Sequence, residues 1–95
     1  MEGRDFVVQA RIDVQTLEAW TEAGWLAPQR QDERPHYSEV DVARAHLIED
    51  LKHLGINDEG IPVILDLVDQ LHGVRRVLRE LLSTVQAQRQ EPARS

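Results

Sequence analysis

The sequence predicts an all-α fold in which a small helical domain is followed by one long helix. Two observations predict it: apolar residues recur at helical spacing, and capping residues bracket the segments in which they do so. A chain of 95 residues is long enough for one domain with one hydrophobic core. We expect a single domain over residues 1–88, divided between residues 4–55 and a long helix at 57–88, with a disordered tail at 89–95.

The ends of three helices are marked by residues that satisfy free backbone groups. Asp13 is a favourable N-cap, and Gly24 lies where the helix after Asp13 should end. Ser38 begins the next helix, Gly55 ends it, and Asn57 caps the long helix. The face predicted to be buried on the helix after Ser38 consists of Val40, Ala43, Leu47, Ile48, Leu51 and Leu54.

Two shorter stretches are less regular. In residues 6–12 the apolar side chains alternate, which is typical of a strand, but a short helix capped by Asp5 fits as well. Both alternatives stay open at this point. Residues 25–37 include Pro28 and Pro35, and they predict two short extended pieces joined by an exposed loop.

The last helix is too long to be covered by a domain of this size. About 30 residues rise roughly 45 Å at 1.5 Å per residue, whereas a globule of this length has a radius of gyration of about 12 Å. Its apolar residues fit a heptad seam, with Ile61, Val68, Arg75 and Leu82 at the a positions and Ile64, Leu71, Leu78 and Val85 at the d positions. A second apolar row contains Leu67, Val74, Val77 and Leu81. A homodimer through this helix is therefore expected, and the alternative is a monomer whose helix folds back at Gly73.

Charge is distributed unevenly along the chain. Residues 1–73 carry 15 acidic and 6 basic side chains, a net charge of −9, whereas residues 74–95 carry 2 acidic and 5 basic side chains, a net charge of +3. An acidic domain lacks the surplus of lysine and arginine with which duplex-binding proteins neutralise phosphates. Nucleic acid is therefore not an expected partner. The charge either keeps the protein soluble or attracts a basic protein.

The residue types that perform catalysis or bind metals do not form a recognisable group. The chain has no cysteine, so thiolate ligands and cysteine nucleophiles are excluded. His46 with Asp50 and Glu49 with His53 are each four residues apart on one helix, but a metal site needs three or four ligands. We expect no cofactor, no metal ion and no enzymatic activity. The absence of a signal peptide, a membrane span and cysteine indicates a cytoplasmic location.

Several segments resemble the MerR-type winged helix-turn-helix family. The segments are Ile12 to Leu17, Glu22 to Pro28 and His36 to Val42. In that family a short helix and a recognition helix precede a wing, and the next helix begins with a Tyr-x-x-x-Asp pattern, which Tyr37 and Asp41 match. The last helix is similar to the family's dimerisation helix. The resemblance covers about residues 4–88 and implies a MerR-like winged domain followed by a dimerisation helix.

The recognition helix departs from the family pattern in a way that argues against DNA binding. Where the family has Thr-Leu-Arg-Tyr-Tyr-Glu, this chain has Thr16 to Thr21, with Glu18 in place of the arginine that contacts phosphate. In addition, Arg11 stands where the family has a glycine in the turn between the two helices.

The segment from Gly55 to Leu71 is similar to the corresponding helix of CbpM-type chaperone-modulatory proteins, a MerR-like branch with an acidic character. Their Gly-Ile-x-Val-x-Leu-x-Leu-x-Asp pattern is matched by Gly60, Ile61, Val63, Leu65, Leu67 and Asp69. The resemblance implies binding to the J-domain of a DnaJ-like co-chaperone, CbpA, and inhibition of its action with Hsp70. The alternative is a MerR-family DNA-binding transcriptional regulator.

The same resemblance implies a partner-binding surface. J-domains present a basic helix to Hsp70, so an acidic domain that covers this helix would block recruitment. The candidate residues for this contact are Glu49, Asp50, Asp58, Glu59, Asp66, Asp69 and Trp25. An antiparallel packing of the last two helices would extend the acidic patch, and the short Gly55-Ile56 connection favours it.

Overall fold

The computed structural model describes residues 1–90, which form four helices and one two-stranded sheet. The helices are α1 (Gly3–Ala10), α2 (Val14–Glu22), α3 (Glu39–His53) and α4 (Gly60–Gln90), and the strands are β1 (Gln29–Gln31) and β2 (Arg34–His36). The chain divides into a compact unit at Met1–Val63 and a second unit that begins at Ile64. The mostly helical fold class is confirmed, and the two short strands lie within the stretch where extended pieces are predicted.

The first segment forms α1, so the strand alternative is wrong. Phe6 and Ala10 are 0% and 1% exposed, whereas Val8 between them is 73% exposed. A strand would place all three side chains on one face, but a helix turns Val8 about 200° away from Phe6. Asp5 lies in the first turn of α1 and is not its cap.

The ends of α2 are where the sequence predicts them. Asp13 Oδ1 accepts a hydrogen bond from the backbone N–H of Thr16 at 2.7 Å. Hydrogen bonds from the side chain and the backbone of Thr16 hold the pKa of Asp13 below its ordinary value of 3.8. At the other end Gly24 has a φ of 81°, and the N–H of Trp25 donates to the carbonyl of Trp20 at 2.9 Å, which is a Schellman ending.

A tight hairpin connects α2 to α3. β1 and β2 pair antiparallel, with Gln31 opposite Arg34 and a two-residue turn between them. The turn residues Asp32 and Glu33 have φ values of 52° and 65°, as in the type I′ turns that match the twist of paired strands. The prediction of two extended pieces over residues 25–37 is confirmed, and the hairpin lies where the wing is expected.

The ends of α3 are also set by local bonds. The backbone N–H of Ser38 donates to Asp41 Oδ2 at 2.9 Å, which forms one half of a capping box. At the other end Gly55 has a φ of 88°, and the N–H of Ile56 donates to the carbonyl of Leu51 at 3.0 Å. These bonds satisfy backbone groups that the helix leaves free.

The buried face of α3 differs from the predicted one. Ala45, Ile48 and Leu51 are buried, whereas Val40 and Leu54 are 76% and 77% exposed. The sequence of α3 contains two overlapping apolar rows, and periodicity alone does not say which row faces the core. The row with Ala45 is the one that packs inside.

The core of the first unit combines side chains from its helices and from the segments that connect them, whereas both strands are exposed. It contains Phe6, Ala10, Leu17, Trp20, Trp25, Leu26, Tyr37, Ala45, Ile48, Leu51 and Ile61, each at most 9% exposed. The rings of Phe6 and Tyr37 are stacked, with centroids 4.3 Å apart and planes at 14°. The backbone N–H of Tyr37 donates to the carbonyl of Met1 at 2.7 Å, so the end of the hairpin is held against the start of the chain.

The long helix α4 is continuous. Asn57 Oδ1 accepts a hydrogen bond from the N–H of Gly60 at 2.8 Å, which confirms the predicted cap. Its 31 residues correspond to a length of roughly 46 Å. The helix passes through Gly73 without a break, so the fold-back alternative is wrong. Residues 89 and 90, expected in the tail, belong to α4, and the rest of that tail, 91–95, lies outside the described residues.

Candidate partner-binding surfaces

The exposed face of α2 carries acidic side chains where a DNA-binding helix carries basic ones. Leu17 and Trp20 hold α2 in the core at 9% and 5% exposure. Glu18 and Glu22 are exposed, and because they are four residues apart they lie on one face of the helix. The sequence of α2 contains no lysine, arginine or histidine. Such a face repels phosphate groups.

Asp58 and Glu59 precede α4 and differ in their partners. The Asp58 carboxylate accepts a hydrogen bond from Lys52 Nζ at 3.0 Å, an ion pair that joins the end of α3 to the start of the last helix. The two side chains are 76% and 41% exposed, so the pair is solvated and worth no more than about 1 kcal/mol. Glu59 is exposed.

Glu49 and Asp50 lie on α3 beside the end of α1. Asp50 is exposed, and Glu49 is half-buried with its Oε2 4.0 Å from Nδ1 of His53. An open groove of about 610 Å³ at this place is lined by Gln9, Ala10, Arg11, His46, Glu49 and Asp50. Two carboxylates against one guanidinium make this lining acidic, so it suits a cationic group.

Asp66 and Asp69 belong to the second unit and are exposed on α4. Asp66 Oδ2 accepts a hydrogen bond from Gln70 Nε2 at 2.8 Å, a pair between neighbouring turns of the same helix. The six acids predicted as one group are thus divided between the two units.

Trp25 lies in the core of the first unit. Its ring is 6% exposed and is tilted against Trp20, with the ring centroids 6.2 Å apart. Lys52 Nζ stands 5.5 Å from the ring centroid, and the carbonyl of Trp25 accepts a hydrogen bond from Arg44 Nε at 2.6 Å. Trp25 therefore offers a partner almost no surface, and the role that the structure shows for it is packing.

Residues 1–90 contain neither a metal-binding cluster nor a membrane-spanning helix. No three His, Cys, Asp or Glu side chains in this part of the chain converge to hold a metal ion. Among the same residues, no helix combines the length and the apolar character that crossing a membrane requires.

The order of the elements is that of a helix-turn-helix domain extended by a long helix. Residues 1–68 match the family model described as MerR HTH family regulatory protein. The chain belongs to this family. No curated protein and no solved structure gave a match. The matched residues of this MerR-family chain include the acidic α2 and the first part of α4.

The dimer seam predicted for this MerR-family chain is partly buried within the chain itself. Ile61 is 0% exposed, so it belongs to the core of the first unit and offers no surface to a second copy. Ile64 and Val68 are half-buried. The remaining seam residues, Leu71, Arg75, Leu78, Leu82 and Val85, are exposed.

The second apolar row of α4 is as exposed as the seam. Leu67, Val74 and Leu81 are 58%, 55% and 57% exposed. Together with three seam residues they make an uninterrupted row with alternating spacings of four and three residues, as in a heptad pattern. This row, the α4 stripe, consists of Leu67, Leu71, Val74, Leu78, Leu81 and Val85. In the sequence, the charged residue Arg75 at an a position of the predicted seam favours the register of the α4 stripe.

α3 also has an exposed apolar row, whose members the sequence pattern predicts to lie in the core. The row, the α3 ridge, consists of Val40, Ala43, Leu47 and Leu54. Leu47 is half-buried and the other three are exposed. At 100° per residue all four fall within about 60° of one another. In the sequence, this row is indicated by the seven-residue spacing between Val40, Leu47 and Leu54.

Proposed function

We propose that this MerR-family chain binds the J-domain of a DnaJ-like co-chaperone and inhibits its action with Hsp70, as a CbpM-type chaperone modulator does. The observation that carries the proposal is the exposed face of α2, which has Glu18 and Glu22 and no basic residue. A helix-turn-helix domain with this face is suited to a basic partner surface and not to phosphates. The similarity of Gly55 to Leu71 to the CbpM-type helix supports the J-domain as that partner.

The mechanism that follows is competitive. A J-domain presents a basic helix to Hsp70, and an acidic domain bound over that helix prevents Hsp70 from contacting it. Complementary charge speeds the encounter and makes it sensitive to salt, while buried apolar contacts slow dissociation. The proposal needs no cofactor and no catalysis, and it includes the predicted cytoplasmic location.

We further propose that two copies pair through the α4 stripe. An apolar row 42–58% exposed over most of a helix is a surface that association covers. Residues 58–69 carry four acids and no base, while residues 75–90 carry four arginines and one acid. An antiparallel pairing sets each acidic half beside a basic half of the second copy, so charge favours this orientation.

A second candidate function is that of a MerR-family transcriptional regulator. Family membership over residues 1–68 favours it, because the family is described as regulatory. The acidic face of α2 and the net charge of −9 over residues 1–73, from 15 acids and 6 bases, speak against duplex binding.

The test of the J-domain proposal uses the full chain and the isolated J-domain of a CbpA-type co-chaperone. Calorimetry should show a complex whose affinity falls as salt is raised, and the chain should suppress co-chaperone-stimulated ATP hydrolysis by Hsp70. The matched control is the same J-domain with glutamine in place of the lysines and arginines of its basic helix, which should bind much more weakly. Absence of binding to the unaltered J-domain would refute the proposal.

A further inference from the structure

The α3 ridge is an exposed apolar surface that the fold of the first unit leaves uncovered. Val40 and Leu54 are 76% and 77% exposed, the highest values among the large hydrophobic residues in residues 1–90. They are separated by 14 positions, which is about 21 Å along the helix. The centre of the ridge lies about 110° around α3 from Ile48, which is fully buried in the core. A row of this length spans about four helical turns, the dimension of a helix-in-groove contact.

Acidic side chains border the ridge on its solvent side. At 100° per residue Glu39 and Asp50 lie within about 60° of Leu54, on the side away from the core. Both are exposed. Asp50 also lines the acidic groove at the end of α1, so this carboxylate borders both the groove and the ridge.

The two permanent cations of α3 are engaged elsewhere. Arg44 Nε donates to the carbonyl of Trp25 at 2.6 Å, on the core side of the helix. Lys52 Nζ pairs with Asp58 at 3.0 Å and stands over the ring of Trp25. The ridge is thus apolar along its centre and acidic along its border.

We propose that the α3 ridge is the docking surface for a basic amphipathic helix of the partner. Apolar side chains of that helix would lie on Val40, Leu47 and Leu54, while its lysines or arginines face Glu39 and Asp50. Charge complementarity favours this occupant over a second copy, because the exposed surface of residues 1–63 is itself acidic. The inference rests on the proposed function, in which the basic helix belongs to the J-domain.

The test replaces the ends of the ridge with polar residues of similar length. In the double variant Val40→Gln and Leu54→Gln the fold should persist, because both side chains are exposed and glutamine is a good helix former. Affinity for the J-domain, measured by calorimetry, should fall about tenfold or more, since the variant removes two of the three apolar contacts proposed for the partner helix. The matched control is Val8→Gln, an exposed valine on α1 at 73% exposure, which should bind as the unaltered chain does.

The outcomes separate the inference from the function on which it rests. Binding by the unaltered chain and by the double variant with equal affinity would place the contact elsewhere and overturn the inference alone. A double variant that sediments at a lower mass than the unaltered chain would show that a second copy covers the ridge, which also overturns it. Failure of the unaltered chain to bind the J-domain would refute the proposed function, and the ridge assignment with it.

Discussion

Arg11 adopts the left-handed backbone conformation that glycine adopts most easily. Its φ of 59° and ψ of 42° are left-handed values at the end of α1, where the family resemblance predicts glycine. A non-glycine residue in this conformation costs roughly 1 kcal/mol. The N–H of Ile12 still donates to the carbonyl of Val7 at 3.2 Å, so the helix ending is preserved at that cost.

Gly73 presents the opposite case, a glycine in a place that does not require one. It lies inside α4, and a Cβ built on it has no heavy atom within 4 Å. Glycine in a helix interior is about 1 kcal/mol less favourable than alanine. Gly73→Ala should therefore raise the free energy of unfolding by about that amount, measured by thermal unfolding with circular dichroism.

The control for this substitution is a glycine with equal space but a different backbone. A Cβ at Gly55 also has no heavy atom within 4 Å, but the residue has a φ of 88°. Gly55→Ala should destabilise the protein by about 1–2 kcal/mol because alanine rarely adopts this conformation. A lower melting temperature for Gly73→Ala would instead show that a second chain approaches α4 at Gly73.

The helix α4 exposes more apolar surface than a pairing of two copies of this helix would bury. Its first turn buries Ile61 within the chain, and its later turns expose two adjacent rows. A two-stranded pairing buries one a and d set, so the register decides which row is covered. The α4 stripe avoids Arg75 and does not need Ile61, and we therefore expect it to be the buried set.

Two adjacent leucines distinguish the registers. Leu81 belongs to the α4 stripe and Leu82 only to the seam first predicted from the sequence, and they are 57% and 58% exposed. Leu81→Gln should weaken the homodimer at least about tenfold more than Leu82→Gln, since only the first removes an apolar contact from the buried row. Sedimentation equilibrium over a range of protein concentrations measures both.

The result can contradict the proposal in two ways. A greater loss with Leu82→Gln would restore the register with Arg75 in the seam. A single species at 10.9 kDa for the unaltered chain would show that the helix does not pair at all. Leu78 lies in both registers, so Leu78→Glu should separate the copies in either case, because a buried unpaired charge is costly.

The net charge of the chain bears on whether its helix-turn-helix domain binds a DNA duplex. The chain belongs to a family described as regulatory proteins, yet its formal net charge is −6. Phosphate contacts supply most of the affinity of a DNA-binding domain, and each needs a cation at the interface. The helix-turn-helix architecture is therefore combined with a net negative charge, and we expect duplex binding to be weak.

The corresponding prediction concerns nucleic acid directly. At about 150 mM salt, affinity for a random duplex should be no tighter than the roughly 10⁻⁴ M typical of weak non-specific binding. Glu18→Arg alone should leave this unchanged, because a single new phosphate contact does not replace several missing ones. Fluorescence anisotropy with a labelled duplex measures both, and nanomolar binding to a specific operator would favour the transcriptional alternative.

The ends of the helices and the sign of the surface charge could be predicted from the sequence. The caps and ends of the helices depend on contacts between residues only a few positions apart, so they can be predicted from the sequence. The caps are Asp13, Ser38 and Asn57, and the helix ends lie at Gly24 and Gly55. The acidic character of α2 is equally local, because a short amphipathic helix has only one exposed face.

Which apolar surfaces are covered could not be predicted from the sequence and is known from the folded structure. The apolar side chains of residues 6–12 fit the spacing of a strand and also that of a helix. In the structure the segment is helical, which places both Phe6 and Ala10 in the core. The sequence makes Trp25 and Ile61 candidates for contact with other molecules, but in the structure both side chains are buried. The physical reason is that periodicity gives the direction of a side chain relative to its own helix, whereas burial depends on which distant elements close over it.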